Sequence, residues 1–218
     1  FTPTDRSSLA GYSPTRNHII VNELDNVKNR VYVWTHGSNG WSREALPGLP
    51  EFGTVDVNAV DERDSDAYFV TATDFLTPTS LHYGEVGKGK PELLKSLPAF
   101  FDASKLAVSQ HEATSADGTR VPYFQVAAKA VELNVKNPTV LYGYGGFEVS
   151  MTPNYAASIG DAWLNKGGVY VVANIRGGGE FGPKWHQAAL KANRNKAYED
   201  FAAVARDRKC ARVEEGET

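Results

Sequence analysis

Short runs of β-branched and aromatic residues, broken at close intervals by turn formers, mark the first hundred positions. His18-Ile19-Ile20-Val21, Arg30 to Trp34, Thr54 to Val57, Ala67 to Val70 and Leu81-His82-Tyr83 each read as a strand. Between them lie turn signals at Asp25-Asn26, Gly37-Ser38-Asn39-Gly40 and Asp61 to Asp66. Spacing this tight predicts antiparallel sheet in a sandwich, a barrel or a propeller. A weak repeat favours the last of these. Val31 to Trp34 and Leu81 to Tyr83 are separated by about one propeller blade, and Gly48-Leu49-Pro50 returns as Ser96-Leu97-Pro98 at a similar offset. The stretch holds two blades, too few to close a ring by themselves.

From about Leu106 the rhythm changes. Ser115-Ala116-Asp117-Gly118-Thr119 predicts a hairpin turn between Leu106-to-Ala113 and Val121-to-Val126. Strand-like Thr139 to Tyr142, a helical pattern from Tyr155 to Lys166 with Tyr155, Ile159 and Trp163 on one face, and strand-like Val169 to Ala173 form a βαβ unit. Pro183 can open a further helix carrying Trp185, Ala188 and Ala189. Tyr198, Phe201 and Ala205 share a face on the next one. The alternation implies a parallel α/β sheet. The expected fold is therefore mixed: all-β propeller blades over residues 1–105, then the start of an α/β domain over 106–218.

Composition narrows the classes. The 218 residues are 41% hydrophobic and 22% charged, with net charge -3, which argues against disorder, coiled coil and broad nucleic-acid binding. No apolar run approaches the roughly 18 residues that would span a bilayer. One cysteine, Cys210, cannot form an internal disulfide, and no cysteine/histidine cluster has zinc spacing, so neither metal nor cofactor is expected. A cytoplasmic location is the first expectation and a periplasmic one the second. Oligomeric state has no signature in the sequence. The chain opens on Phe1 with no leader-like stretch, which suggests a processed or internal piece.

Two glycine-rich loops sit where α/β proteins bind ligands, beyond the carboxyl ends of strands. They are Gly143-Tyr144-Gly145-Gly146-Phe147 and Arg176-Gly177-Gly178-Gly179-Glu180. Their exposed N–H groups suit an anion, either a phosphate or a developing oxyanion. The dinucleotide fingerprint is not met, because Val149 to Pro153 delays the helix. Large aromatics inside a glycine loop need a surface to pack against or a ligand to bind; simple tight turns fit Gly177 to Gly179 better.

In order and spacing, Tyr142 to Phe147, Thr152-Pro153-Asn154-Tyr155, Gly167-Gly168-Val169, Ala173 to Glu180 and Trp185-His186 resemble the prolyl oligopeptidase family. Asp74-Phe75-Leu76-Thr77-Pro78 and Ser115 to Tyr123 are similar to its last propeller blades and the return into its hydrolase domain. The likeness runs over residues 12 to 207. It implies a β-propeller capping an α/β-hydrolase, and a serine protease that cleaves short peptides, often after proline. Tyr144 then matches the oxyanion-hole tyrosine and Phe147 a residue lining the proline pocket. Arg176 and Glu180 match structural residues, expected to pair and shape their loop.

A hydrolase of this family also needs a Gly-Gly-Ser-Asn-Gly-Gly nucleophile elbow, then aspartate and histidine. All three are absent, and after Asp207 apolar periodicity gives way to Arg208-Lys209-Cys210-Ala211-Arg212 and an acidic end. A shifted reading frame or early stop near Asp207 is the expectation, and the 218-residue chain is expected to be inactive alone. Ser38, in Gly37-Ser38-Asn39-Gly40, lacks the elbow's first glycine and reads as a hairpin turn rather than the nucleophile of a complete small hydrolase. His18, His36, His82, His111 and His186 have no triad spacing, and Trp34, Trp41, Trp163 and Trp185 read as packing residues. The alternative function is a non-catalytic propeller-type module that binds peptides or proteins. An incomplete sheet exposes a strand edge, so the isolated chain is expected to be marginally stable and to aggregate; a single cooperative transition in a soluble monomer, seen by calorimetry with light scattering, would contradict this.

Overall fold

The computed structural model describes residues 1–131 and 137–210; the acidic end of the tail lies outside the described residues. The chain divides into two compact units. One holds Phe1–Pro98 with Thr152–Tyr155, and the other holds Ala99–Met151 with the residues from Ala156 onward.

The first unit is two four-stranded antiparallel meanders. Strands β1 (Ser7–Pro14), β2 (His18–Asp25), β3 (Lys28–Gly37) and β4 (Gly40–Ala45) pair in chain order. So do β5 (Gly53–Ala59), β6 (Ala67–Asp74), β7 (Ser80–Glu85) and β8 (Glu92–Ser96). These are the two expected blades. The repeated segments Val31–Trp34 and Leu81–Tyr83 occupy the third strand of each. Alternation works as the pattern suggests: Val31 and Val33 on β3, Val55 and Val57 on β5, and Tyr68, Val70 and Ala72 on β6 point into one core. Strands β4 and β8 are exposed along their whole length. Neither was foreseen, because a strand with no buried face carries no hydrophobic period.

Side-chain amides join the two meanders. Asn22 donates to the carbonyl of Val55 (2.7 Å), Asn29 accepts from the Val55 N–H (3.2 Å), and Asn29 donates to Asn22 (2.7 Å). Both asparagines are buried. A second tie runs from Asp66, which accepts from the Thr15 hydroxyl, the Asn17 N–H and the Asn17 amide. Burial opposes ionisation of Asp66, but these donors outweigh it and its carboxyl lies below the usual range.

The second unit is built on a sheet ordered β11-β12-β10-β9, from β9 (Leu106–Thr114), β10 (Arg120–Ala128), β11 (Thr139–Gly143) and β12 (Val169–Ala173). The expected parallel pairing is confined to β11 and β12; β12 meets β10 antiparallel, so the sheet is mixed. Strand β10, flanked by β9 and β12, is buried from Val121 through Ala127 and shows no alternation. The crossover is shorter than the apolar pattern suggests. It comprises α1 (Ala157–Ala162) and a 3₁₀ turn at Leu164–Lys166. Tyr155 stays outside α1, since Thr152–Tyr155 belongs to the first unit, where Thr54 donates its hydroxyl to the Pro153 carbonyl (2.6 Å). Helix α2 (Pro183–Gln187) starts on its proline as expected. Helix α3 (Asn195–Cys210) lays Ala197, Ala203 and Val204 onto a core with Ala113, Val121, Tyr123 and Val171.

Replacing Asn29 with alanine leaves the Val55 N–H and the Asn22 amide short of a partner in a dry setting. A loss of about 1–3 kcal/mol is expected in urea unfolding of the first unit, with no change from Asn39→Ala in an exposed turn.

Candidate active site

Strand β11 ends at Gly143 and runs directly into the Tyr144–Phe147 loop. Gly145 has φ +57°, and a Cβ on it would lie 2.7 Å from the Arg176 carbonyl oxygen. Only glycine lets the first loop rest this closely on the second. The contact is fastened at both ends. Arg194 donates to the Gly145 carbonyl, and the Glu148 N–H points at the Gly177 carbonyl (3.3 Å). His186 Nδ1 lies 2.7 Å from that same carbonyl and 3.1 Å from the Glu148 nitrogen. The glycine run 177–179 therefore serves close backbone packing, not an anion cradle: Gly177 N–H donates to Trp185 and Gly178 N–H to Ile175. The simple-turn reading was the right one there.

Tyr144 is 41% exposed, and its hydroxyl has no hydrogen-bond partner among the described residues. Phe147 is 85% exposed, with φ +52°, and Glu148 follows at +58°. Two successive non-glycine residues in the left-handed region store strain of about 1–2 kcal/mol each. The loop thus presents a free phenol and a bare phenyl ring, three positions apart, beyond the carboxyl end of β11.

The second loop is held from within. Arg176 is buried, and its guanidinium meets the Asp200 carboxylate through Nε (2.9 Å) and a terminal nitrogen (2.6 Å). Its other terminal nitrogen reaches Asp117 at 2.6 Å. Ser115 donates to Asp200 (2.6 Å), and the Arg176 N–H does so as well (3.0 Å). The expected Arg176–Glu180 pair is not what forms. Glu180, fully buried, instead accepts from the Met151 N–H (2.9 Å) and the Asn174 amide (3.2 Å). The sequence reading places Asp117 in a hairpin turn and gives Asp200 no role, so neither is identified there as a partner of Arg176. Asp200 did carry a signal: it falls on the α3 face that buries Ala197 and Val204.

Ser38 occupies the two-residue turn closing β3 and β4, as expected of a hairpin, and the His36 ring packs edge-on to Trp41. His18 pairs with Thr35, His82 with Ser80 and His111 with Ser109, each beside a strand neighbour. Among the described residues no cluster of histidine, cysteine and carboxylates could hold a metal, and no helix is long and apolar enough to cross a membrane.

Comparison with known proteins follows the same division. The model for the N-terminal β-propeller domain of prolyl oligopeptidase matches residues 2–97, and the prolyl oligopeptidase family model matches 156–209. The chain is 48% identical over 207 residues to an uncharacterized peptidase of Sinorhizobium fredii, covering 95% of this chain and 28% of that protein. It is 35% identical over 156 residues to a prolyl endopeptidase of Elizabethkingia miricola, covering 72% and 22%. A solved post-proline cleaving enzyme from Rickettsia typhi superposes with TM-score 0.82 at 33% identity, over 95% of this chain and 30% of that one. The chain spans less than a third of the length of each.

Two carboxyls of the second unit respond to pH in opposite senses. Hydrogen bonding to Arg176 holds Asp117 far below the usual carboxylate range, so its contribution is full above about pH 4 and fades as pH falls through the lowered value. Burial pushes Glu180 up despite N–H donors from Met151, Asn174 and its own backbone; its contribution is full below about pH 4 and fades as pH rises through the raised value. In urea unfolding across a pH series, Asp117→Asn is expected to flatten the acid limb and Glu180→Gln the limb at higher pH. An undiminished high-pH limb in Glu180→Gln would refute the second assignment.

Proposed function

Since this chain belongs to the prolyl oligopeptidase family, we propose that the protein is a serine-type peptidase that hydrolyses short peptides after proline, and that this segment supplies an oxyanion donor and one wall of the proline pocket. The Tyr144 hydroxyl carries the proposal. It is a phenolic donor with no protein partner among the described residues, on a loop whose backbone is pinned by Arg194 and by the glycine run beneath.

The chemistry follows from that placement. When a nucleophile adds to a peptide carbonyl, the oxygen gains a full negative charge, and a donor already aimed at that position needs no reorganisation as the charge develops. A phenol with no competing acceptor is free to make that bond. Phe147 offers a flat apolar face, suited to a pyrrolidine ring that has no N–H to satisfy. Proline at the cleaved bond fits that face better than a polar side chain would.

The general base and the nucleophile belong to a part of the hydrolase that these 218 residues do not include, since the glycine-flanked serine elbow is absent from the sequence. A second oxyanion donor comes from the backbone of such an elbow. The chain by itself is therefore expected to leave a proline-containing chromogenic peptide intact. In a polypeptide where residues 1–207 run on into the nucleophile-bearing part, Tyr144→Phe is expected to lower kcat about 10²–10³-fold with KM little changed, whereas Phe147→Ala raises KM for proline substrates. Full kcat in Tyr144→Phe would overturn the oxyanion assignment.

A further inference from the structure

The proposed peptidase chemistry makes no use of Glu180, yet this carboxyl is wholly buried at the foot of the loop that bears Tyr144 and Phe147. Its Oε1 accepts from the Met151 N–H (2.9 Å), while Asn174 donates to the Met151 carbonyl (2.7 Å). Asn174 also donates to Glu180 (3.2 Å), which locks the two side chains together. Both polar groups of one peptide residue are thus gripped from below. Met151 lies outside every strand and helix, so no regular ladder supports it. Its neighbours have ties of their own: the Val149 N–H closes a turn onto Gly146 (3.0 Å), the Glu148 N–H lies against Gly177 and His186, and Thr54 holds the Pro153 carbonyl.

Between the Arg194 bond at Gly145 and the grip at Met151 lie Phe147 and Glu148, both in the left-handed region. Strained dihedrals persist only where the surroundings over-determine them. Released at Met151, this short strap could relax toward ordinary backbone angles and carry the phenyl ring away. Burying a carboxylate is costly, and burial does raise the Glu180 carboxyl, so a glutamate here is a poor way to obtain stability alone.

We propose that Glu180, with Asn174, is a positioning residue: it clamps the Met151 backbone and thereby fixes the strained Phe147–Glu148 turn that sets the proline pocket. The clamp itself is independent of the peptidase reading; its kinetic consequence rests on that reading. The required feature is an acceptor oxygen at Oε1, which glutamine retains and alanine lacks.

The test uses the nucleophile-bearing polypeptide described above, with hydrogen–deuterium exchange read by mass spectrometry. Glu180→Ala is expected to speed exchange across residues 147–151 about tenfold, the equivalent of about 1.4 kcal/mol, while β12 (169–173) exchanges as before. KM for a proline peptide should rise with a smaller change in kcat, and Glu180→Gln should restore both readouts. Unchanged exchange at 147–151 in Glu180→Ala, or damage from Glu180→Gln equal to that from alanine, would overturn the proposal. If Glu180→Ala also loosens β12, Asn174→Ala supplies the same readout from the carbonyl side of the clamp. Should exchange behave as expected while Tyr144→Phe keeps full activity, the clamp stands and the oxyanion assignment falls.

Discussion

A guanidinium cannot give up its proton inside a protein, so burying Arg176 obliges the second unit to bring carboxylates to it. Asp200 comes from α3, Asp117 and the Ser115 hydroxyl come from the turn between β9 and β10, and Arg176 itself follows β12. Three elements distant in sequence thereby acquire one relative placement. Such a pair is a weak source of net stability, because desolvating each ion costs several kcal/mol. Removing one partner is another matter, at about 3–5 kcal/mol. The network specifies an arrangement more than it stabilises one.

That arrangement decides what the neighbouring loop can do. With Arg176 anchored, its carbonyl and the Gly177 carbonyl stand as a fixed floor, and Gly145 settles on it without a side chain to hold it off. The loop above can then tolerate positive φ at Phe147 and Glu148 and still present one conformation. Both aromatic side chains of interest are exposed because the backbone beneath them, not the side chains, makes the holding contacts. Preorganisation of this kind is what the oxyanion role proposed for the Tyr144 hydroxyl requires.

The first unit solves a similar problem with neutral groups. Two stacked meanders could slide along their apolar interface, since hydrophobic contact is not directional. The Asn22–Asn29 pair bonded to Val55 removes that freedom, and Asp66 pins the β1–β2 turn to the following meander. In each unit, then, packing supplies the bulk of cohesion and a few buried polar contacts set the register.

Much of this was legible one residue at a time. Alternation in Val31-Tyr32-Val33 and Val55-Asp56-Val57 is a local consequence of side chains pointing to opposite faces, so the strands with a buried face, the turns between them and the number of blades were readable from sequence. The same holds for Pro183 opening α2, for the Asp117-Gly118 turn, and for the glycine loops whose motif spacing identified the family. The resemblance also assigned roles to Tyr144 and Phe147, though not the geometry that holds them. Partner choice was not legible, because it depends on which distant segments meet. Arg176 and Glu180, four positions apart and oppositely charged, look like a pair in the sequence, yet folding delivers Asp200 and Asp117 to the one and the Met151 backbone to the other. Exposed β4 and β8, the mixed order of the second sheet and the left-handed turn at Phe147 were likewise decided by tertiary contacts. Local pattern records which face of an element is apolar; only the folded chain determines what that face, or a buried charge, is set against.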